Sequence, residues 1–256
     1  MKKWMKGLLI AAGCLTAAGL VLTGVGYAAG GFSHAPRAAG EEADSAYSHQ
    51  LSPEGIRSLE IEWVSGQVIV EPWDQEEIQI EERGYGPISD KNRLEYKVKG
   101  DSLEISFLKP GFHLNFWLQE KDLYVRLPRE LAESLESLDI ENVSAELQLS
   151  GLKVQDMEVN TVSGGLKGEN MQAEELEFES VSGNLNTAFQ NLPQDMELKT
   201  VSGNAEIYLP EGSAVRAELD SVSGKCESEL PGTAGEEAAE INMSSVSGSL
   251  HIRKAR

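Results

Sequence analysis

Cysteine and histidine are scarce in this sequence of 256 residues. There are two cysteines, Cys14 and Cys226, and four histidines, His34, His49, His113 and His251. Cys14 falls in a hydrophobic leader, so we expect no intrachain disulfide even if the protein is exported. No histidine has a partner at the spacing typical of a metal site, and there is no G-x-S-x-G nucleophile motif. The sequence therefore predicts a protein without a cofactor and without enzymatic activity.

Basic residues are also few, because 22 lysines and arginines stand against 42 aspartates and glutamates, for a net charge of −20. Such a surface repels nucleic acid and anionic lipid headgroups, which excludes nucleic-acid binding as a function. It attracts cations, basic peptides and basic polymers instead.

The leader, residues 1–29, has three lysines among its first six residues and continues as an uncharged, mostly apolar stretch. Its most hydrophobic part, residues 8–25, would be roughly 27 Å long as a helix, close to the bilayer core of about 30 Å. This favours an uncleaved signal-anchor, a single transmembrane helix with the lysines inside and the remainder extracytoplasmic. Cleavage after Ala28, giving a secreted protein, and lipid modification of Cys14 are the alternatives. Residues 30–55 are rich in Gly, Ala, Ser, Pro and charge, which predicts a flexible tether.

A short motif of the form [ST]-V-S-G recurs along the rest of the chain. The steps between its valines are 19, 19, 20, 21 and 24 residues, and the valines are Val143, Val162, Val181, Val201, Val222 and Val246. An outlying copy, "EWVSGQVIV", contains Val64. A period near 20 residues is typical of a solenoid, in which each repeat is one coil.

The residues around each motif alternate between apolar and polar, as in strands with one buried face. In one repeat Leu176, Phe178 and Ser180 share a face, whereas Val181 begins the opposite parity. A corner between two strands resolves this conflict, and the motif glycine fits a place where backbones approach closely. The sequence thus predicts an all-β, single-domain parallel β-solenoid over 138–256, with successive coils directly on one another. Residues 56–137 are predicted to be irregular strands that cap one end.

Three further predictions follow from the stacking of coils. The final residues, Arg253, Lys254 and Arg256, would guard the last open strand edge. Cys226, in a column otherwise held by leucine, would be a buried, inert thiol. The motif serines would form an outward ladder, not a set of nucleophiles.

One outward column consists of carboxylates and forms a candidate site. If the coils stack in register, these side chains stand about 5 Å apart in a line: Asp139, Glu158, Glu177, Glu197 and Glu218. A neighbouring column is also largely acidic and is relieved only at Lys199. Two interpretations remain open. The row is either a solvated face that prevents aggregation, or a shallow site for calcium or a cationic partner.

A second candidate is the aromatic segment "PGFHLNFWLQEKD", which contains Phe112, Phe116 and Trp117. These side chains either cover the open end of the first coil or form an exposed contact for a glycan, a lipid surface or a protein.

The repeated "[ST]VSG", the alternating strands, the anchored N-terminus and "LYVRLP" before the regular coils resemble the bacterial "putative adhesin" β-strand-repeat family, domain of unknown function 4097. The resemblance covers residues 56–252 and implies adhesion at the cell surface, with no catalytic residues. The predicted function is binding or scaffolding at the bacterial envelope, with an extended glycan, cell-wall polymer or protein as partner. The alternatives are an envelope-stress accessory that acts on a membrane-protein partner and a polysaccharide-degrading β-helix enzyme.

Overall fold

A computed structural model describes residues 45–86, 88–90, 92–107, 120–231 and 238–255. These residues form strands and one four-residue helix, α1 (Arg129–Ala132). The predicted leader lies outside the described residues, and no described helix has the length and apolar character that a membrane span requires. The strands are β1 (Ser45–Leu51), β2 (Ser58–Trp63), β3 (Gln67–Trp73), β4 (Ile78–Gly84), β5 (Glu95–Lys99), β6 (Ser102–Ser106), β7 (Lys121–Pro128), β8 (Leu135–Asn142), β9 (Glu146–Ser150), β10 (Lys153–Thr161), β11 (Leu166–Ser180), β12 (Leu185–Phe189), β13 (Asp195–Thr200), β14 (Ala205–Leu209), β15 (Val215–Ser221), β16 (Cys226–Ser228), β17 (Ala239–Ser245) and β18 (Leu250–Lys254).

The strands alternate between two faces of a flattened solenoid. Each coil has a strand in one face, a corner, and a strand in the other. The first sheet contains β2, β5, β6, β8, β10, the C-terminal part of β11, β13, β15 and β17. The second sheet contains β1, β3, β4, β7, β9, the N-terminal part of β11, β12, β14, β16 and β18.

Parallel strands in register hold the coils together. Met157 lies beside Leu138 on one side and Leu176 on the other, and Phe178 lies beside Leu198. These side chains are at most 3% exposed. Because each coil buries the apolar side of two strands against the other, the core runs continuously between the sheets. The prediction of an all-β solenoid-like fold with stacked coils is confirmed.

The corner motif has a direct structural explanation. The hydroxyl of Thr200 accepts a hydrogen bond from the N–H of Gly203 at 2.8 Å, and Ser221 accepts the equivalent bond from Gly224 at 2.8 Å. A Cβ atom built on Gly183 would lie 2.1 Å from the carbonyl oxygen of Gly164 in the preceding coil. The glycine is therefore required because the backbones of successive corners approach closely, as the sequence predicted.

The spatial order of the coils differs from their order in the chain. The β17/β18 coil lies between β13/β14 and β15/β16, so the Met243 side chain separates Leu198 from Leu219. At the opposite end the β2/β3 coil lies between β6/β7 and β8/β9. The prediction that every coil lies directly on its predecessor is therefore wrong at the last repeat. Arg253 and Lys254 lie in an interior strand, and β15 and β16 form the terminal edge instead.

Residues 56–137 contain two coils and a set of antiparallel strands. Leu59 lies beside Leu138 and Val68 beside Leu147, so the stacking register extends into this part. Beyond these coils, β5 pairs with β6, β4 with β7, and β1 with β4, all antiparallel. Strand β1 falls within the range predicted as a tether, and that part of the tether prediction is wrong because its backbone pairs with β4 along its whole length.

Candidate functional site: the acidic face of the first sheet

Stacked carboxylates line the outer surface of the first sheet. Asp139 pairs in register with Glu158, Glu158 with Glu177, and Glu177 with Glu197. The line continues on the other side through Glu60 and Glu104. Parallel strands are about 4.8 Å apart, so successive carboxylates stand at about that spacing. We call these side chains the acidic row: Glu104, Glu60, Asp139, Glu158, Glu177 and Glu197.

The acidic row differs from its predicted form at both ends. Asn242 lies between Glu197 and Glu218 because the β17/β18 coil is inserted there, so Glu218 is separated from the others. Glu60 and Glu104 were missed by sequence reasoning. A signal for Glu60 was present, since it lies between the predicted core residues Leu59 and Ile61.

Lys199 is the cation that neutralises the Glu177–Glu197 end of the acidic row. Its ammonium nitrogen lies 2.7 Å from Glu177, 2.9 Å from Glu179 and 3.2 Å from Glu197. Partial burial works to lower the pKa of Lys199, but the hydrogen bonds to these three carboxylates outweigh it and raise the pKa above its usual value. The predicted relief of repulsion at this residue is confirmed.

Asp139 stands in the part of the row that has no such cation close by. Burial, followed by the negative charges of Glu158, Glu141 and Glu60, raises the pKa of Asp139 to about 6. Its Oδ1 atom is buried and has no hydrogen-bond partner. Burial likewise raises the pKa of Glu60 and of Glu141, with neighbouring carboxylates adding to the effect. Negative charge is therefore concentrated around Asp139, Glu60 and Glu141.

The geometry of the row favours extended partners over a single ion. Its carboxylates point outward along a line, and no three Asp, Glu, His or Cys side chains of the described residues converge closely enough to hold a metal. A calcium ion needs six to eight oxygen ligands around one point. A chain carrying positive charges at intervals would instead meet one carboxylate after another.

The second sheet presents a different surface. A groove of about 810 Å³ runs along its outer side beside the bulge in β11, where Asn170 has a positive φ of 54°. Lys167, Asn186, Gln190 and Tyr208 are among the side chains that line it. These groups donate and accept hydrogen bonds, and Glu169, which pairs with Lys167, adds a negative charge to the lining. This face is therefore not uniformly acidic.

The motif serines point outward, as predicted. Ser163 and Ser202 are exposed, and their hydroxyls donate to the carbonyl oxygens of Val143 and Val181 in the preceding coil at 3.3 and 3.4 Å. These contacts give the serines a structural role at the corners.

The prediction for Cys226 is wrong, because its side chain is exposed. The residue occupies the apolar column beside Leu250, but it belongs to the terminal coil, and no described strand lies beyond it. The predicted aromatic contacts, Phe112, Phe116 and Trp117, lie outside the described residues.

A buried ion pair was missed by sequence reasoning. Lys121 and Glu82 are 1% and 0% exposed, and their charged atoms are 3.0 Å apart. The Lys121 ammonium also donates to the carbonyl oxygens of Asn92 and Phe107 at 2.8 and 2.7 Å. Both residues lie on the inward parity of their strands, which is a detectable signal in "IQIEE" and "KDLYV". All three ammonium protons thus have acceptors. The ion pair itself lies within the second sheet, and the bond from Lys121 to the carbonyl of Phe107, just after β6, links that sheet to the first at the N-terminal end of the stack.

A parallel β-solenoid with flat, repeated outer faces is a class of protein that binds through extended surfaces. Two overlapping matches to one family model, over residues 56–214 and 132–253, identify its family. The chain belongs to the Toastrack DUF4097 family.

A solved structure of a similar protein supports the fold. A putative cell adhesion protein from Clostridium sporogenes ATCC 15579 is similar, with 15% identity and a TM-score of 0.51 over 82% of this chain and 99% of its own. A putative adhesin from Bacteroides fragilis NCTC 9343 has 12% identity and a TM-score of 0.47 over 83% of this chain and 98% of its own. No curated protein matches the sequence.

Proposed function

We propose that this protein is a non-enzymatic binding module of the bacterial envelope that holds an extended, positively charged partner along its first sheet. The observation that carries the proposal is the acidic row, six carboxylates in contiguous register. Partners of this chemistry include basic protein segments and cell-wall polymers that bear amines. The name of the Clostridium structure, a cell adhesion protein, supports a binding role of this general kind.

Repetition explains why such a surface would favour long partners. A single exposed ion pair stabilises a complex by roughly 0.2–1 kcal/mol, which is too little for specific binding. Several pairs formed by one chain add up, because the chain loses most of its translational and rotational entropy when the first pair forms. Lys199 pairs with carboxylates at one end of the acidic row, and Lys97 and Lys99 pair with Glu104 at the other. These cations limit the length over which negative charge is uninterrupted.

Binding of the full-length protein to a panel of basic polypeptides, cell-wall polymers and neutral glycans would test this proposal. We expect retention of basic polymers that falls steeply as salt rises from 50 to 500 mM, since screening weakens exposed charge pairs. The triple variant Glu158→Gln, Glu177→Gln and Glu197→Gln should lose most of this binding. A control variant that removes three carboxylates from the second sheet, Glu146→Gln, Glu169→Gln and Glu206→Gln, should keep it.

Two outcomes would contradict the proposal. Equal loss in both triple variants would show that only net charge matters, not the row. Salt-independent retention of neutral glycans, unaffected by the first triple variant, would assign the function to another surface, such as the groove of the second sheet.

We also propose that the leader, residues 1–29, keeps the protein in the cell membrane with the solenoid outside. Its support is the sequence pattern of three lysines before a long apolar stretch. Membrane fractionation and protease treatment of intact cells would test it. Release of the protein into the medium, with an N-terminus near Ala29, would instead show cleavage.

A further inference from the structure

The C-terminal end of the stack is open. Among the described strands, β15 has β17 as its neighbour and β16 has β18, and no strand covers their outer edges. Ala217 and Leu219 are only partly buried, and Cys226 is exposed, whereas Met243 and Leu250 in the next coil are at most 2% exposed. Side chains that form the core in every inner coil are thus partly in solvent here. Unpaired edges of this kind invite another strand.

The opposite end has a different shape. Beyond β6 and β7, the second sheet adds two strands, β4 and β1, whereas the first sheet adds only β5. That end is therefore stepped, and its edge strand β5 carries Lys97 and Lys99, both in ion pairs with Glu104. The open end is even, because β15 and β16 belong to one coil. The edge strands of both sheets can therefore pair with a partner at the same time only if the partner's two edge strands also end at the same level.

A second copy of the same end satisfies this condition. A two-fold axis normal to the two sheets reverses strand direction, so each edge strand would meet its own counterpart antiparallel. The N–H of Gly224 donates to the hydroxyl of Ser221, which brings these two residues together at the corner between β15 and β16. Counting away from this corner along both strands places Leu219 opposite Cys226 and Ala217 opposite Ser228. A two-fold axis halfway between these two facing pairs would pass through Glu218 and Glu227.

The charges on these edges are largely self-complementary in that arrangement. Arg216 of each copy would face Asp220 of the other, and Lys225 would face Glu229. Within one copy Arg216 already pairs with Glu240, and Glu229 with Arg253, so each contact across the axis would add a second partner to an existing ion pair. Four such attractive contacts stand against two repulsive ones, where Glu218 and Glu227 meet their own counterparts at the axis. The inward residues of the two copies would continue the apolar columns from one stack into the next.

We propose that the β15/β16 end is a dimerisation surface whose partner is the same end of a second copy of this chain. The core cross-section at the end is small. A strand of seven residues is about 23 Å long and the sheets are about 10 Å apart, giving ~230 Å² per copy, below the ~800 Å² of a standard interface. The dimer is therefore weak and reversible, and it would double the length of the acidic face.

Cross-linking at position 227 tests the proposal, because Glu227 points outward and would lie beside its own counterpart at the axis. The full-length protein with Cys14→Ser, Cys226→Ser and Glu227→Cys, in mild detergent, carries one thiol. A short bis-maleimide adds each of its two C=C bonds to one thiol and so joins two copies without an oxidant. The control carries the same leader with Cys14→Ser, Cys226→Ser and Ser182→Cys, which places an exposed thiol on an inner coil. We expect covalent dimer from the Glu227→Cys protein at least fivefold faster than from the control.

A charge exchange separates a specific interface from chance contact. Arg216→Glu and Asp220→Arg should each reduce the cross-linking yield about fivefold to tenfold, since each converts attractive pairs to repulsive ones. The double variant restores both pairs and should recover the original yield. Cross-linking from the Glu227→Cys protein no faster than from the control would overturn the proposal. So would a folded double variant that stays as low as the single ones, with folding checked by thermal melting.

Discussion

Replacement of Asp139 by asparagine should make the protein more stable at neutral pH. This carboxylate has its pKa raised to about 6, because burial and the charges of Glu158, Glu141 and Glu60 disfavour the ionised form. In the unfolded chain it would titrate near 3.8. At pH 7.5 the folded protein therefore contains the ionised form of Asp139, although the surroundings of this side chain favour the neutral form.

The size of the effect can be worked out from the pKa. At about 1.36 kcal/mol per pKa unit, a rise from 3.8 to about 6 corresponds to about 3 kcal/mol. Asp139 is partly exposed, and solvent screening reduces this to about 1–2 kcal/mol. The sign follows from linkage. Well below pH 3.8 the group is protonated in both states and the penalty is absent, whereas it grows between about pH 3.8 and 6 and is complete above.

Urea unfolding of the parent and of Asp139→Asn at pH 7.5 and at pH 4 measures this difference. We expect the variant to gain about 1–2 kcal/mol at pH 7.5 and almost nothing at pH 4. Glu218→Gln is the control, because it removes one charge beyond Asn242, at the far end of the same face. An equal gain for Asp139→Asn at both pH values would refute the reasoning, since it would not arise from ionisation. A carboxyl NMR titration of Asp139 with a midpoint near 4 would refute it as well.

Other substitutions test the remaining features by urea unfolding at pH 7.5. Lys199→Met should destabilise by about 1–2 kcal/mol, because three carboxylates lose their shared cation. Gly183→Ala should destabilise by more than about 2 kcal/mol, because its Cβ atom would collide with the carbonyl of Gly164. Lys121→Met should cost about 3–5 kcal/mol, because it leaves the Glu82 carboxylate buried and unpaired.

Each of these variants has a matched control. Lys167→Met removes a lysine that contacts one carboxylate, Glu169, and should change stability by less than about 0.5 kcal/mol. Ser182→Ala, the control for Gly183→Ala at the neighbouring position, should likewise change stability by less than about 0.5 kcal/mol. The double variant Lys121→Met with Glu82→Leu should regain most of the lost stability. A double variant as unstable as Lys121→Met alone would indicate that the pair is needed for its hydrogen bonds, not for its charge balance.

The sequence predicted the coils well where their apolar columns repeat with little change. Between Val143 and Val201 the spacing is nearly constant, and each predicted contact, such as Phe178 with Leu198, is present. The order of the last two coils could not be predicted in this way. All coils share one alternation, so the pattern fixes which side chains face inward but not which coil lies beside which.

The same ambiguity explains the errors at the candidate site. The burial of Cys226 depends on whether another coil covers it. The separation of Glu218 from the acidic row depends on Asn242, which lies between Glu218 and Glu197. Glu104 could not be placed because its strand lies outside the regular repeat. The ion pair between Lys121 and Glu82 joins residues 39 positions apart, and no local pattern brings them together.

The interleaved arrangement of the final coils constrains how the protein is made. Strands β15 and β16 leave the ribosome before β17 and β18, the strands they rest on. Their native partners are complete only when the chain has been made as far as residue 254. A message truncated shortly after residue 231 would encode most of the repeats yet leave β15 and β16 without the strands they pair with, and such a product would be a good substrate for proteases.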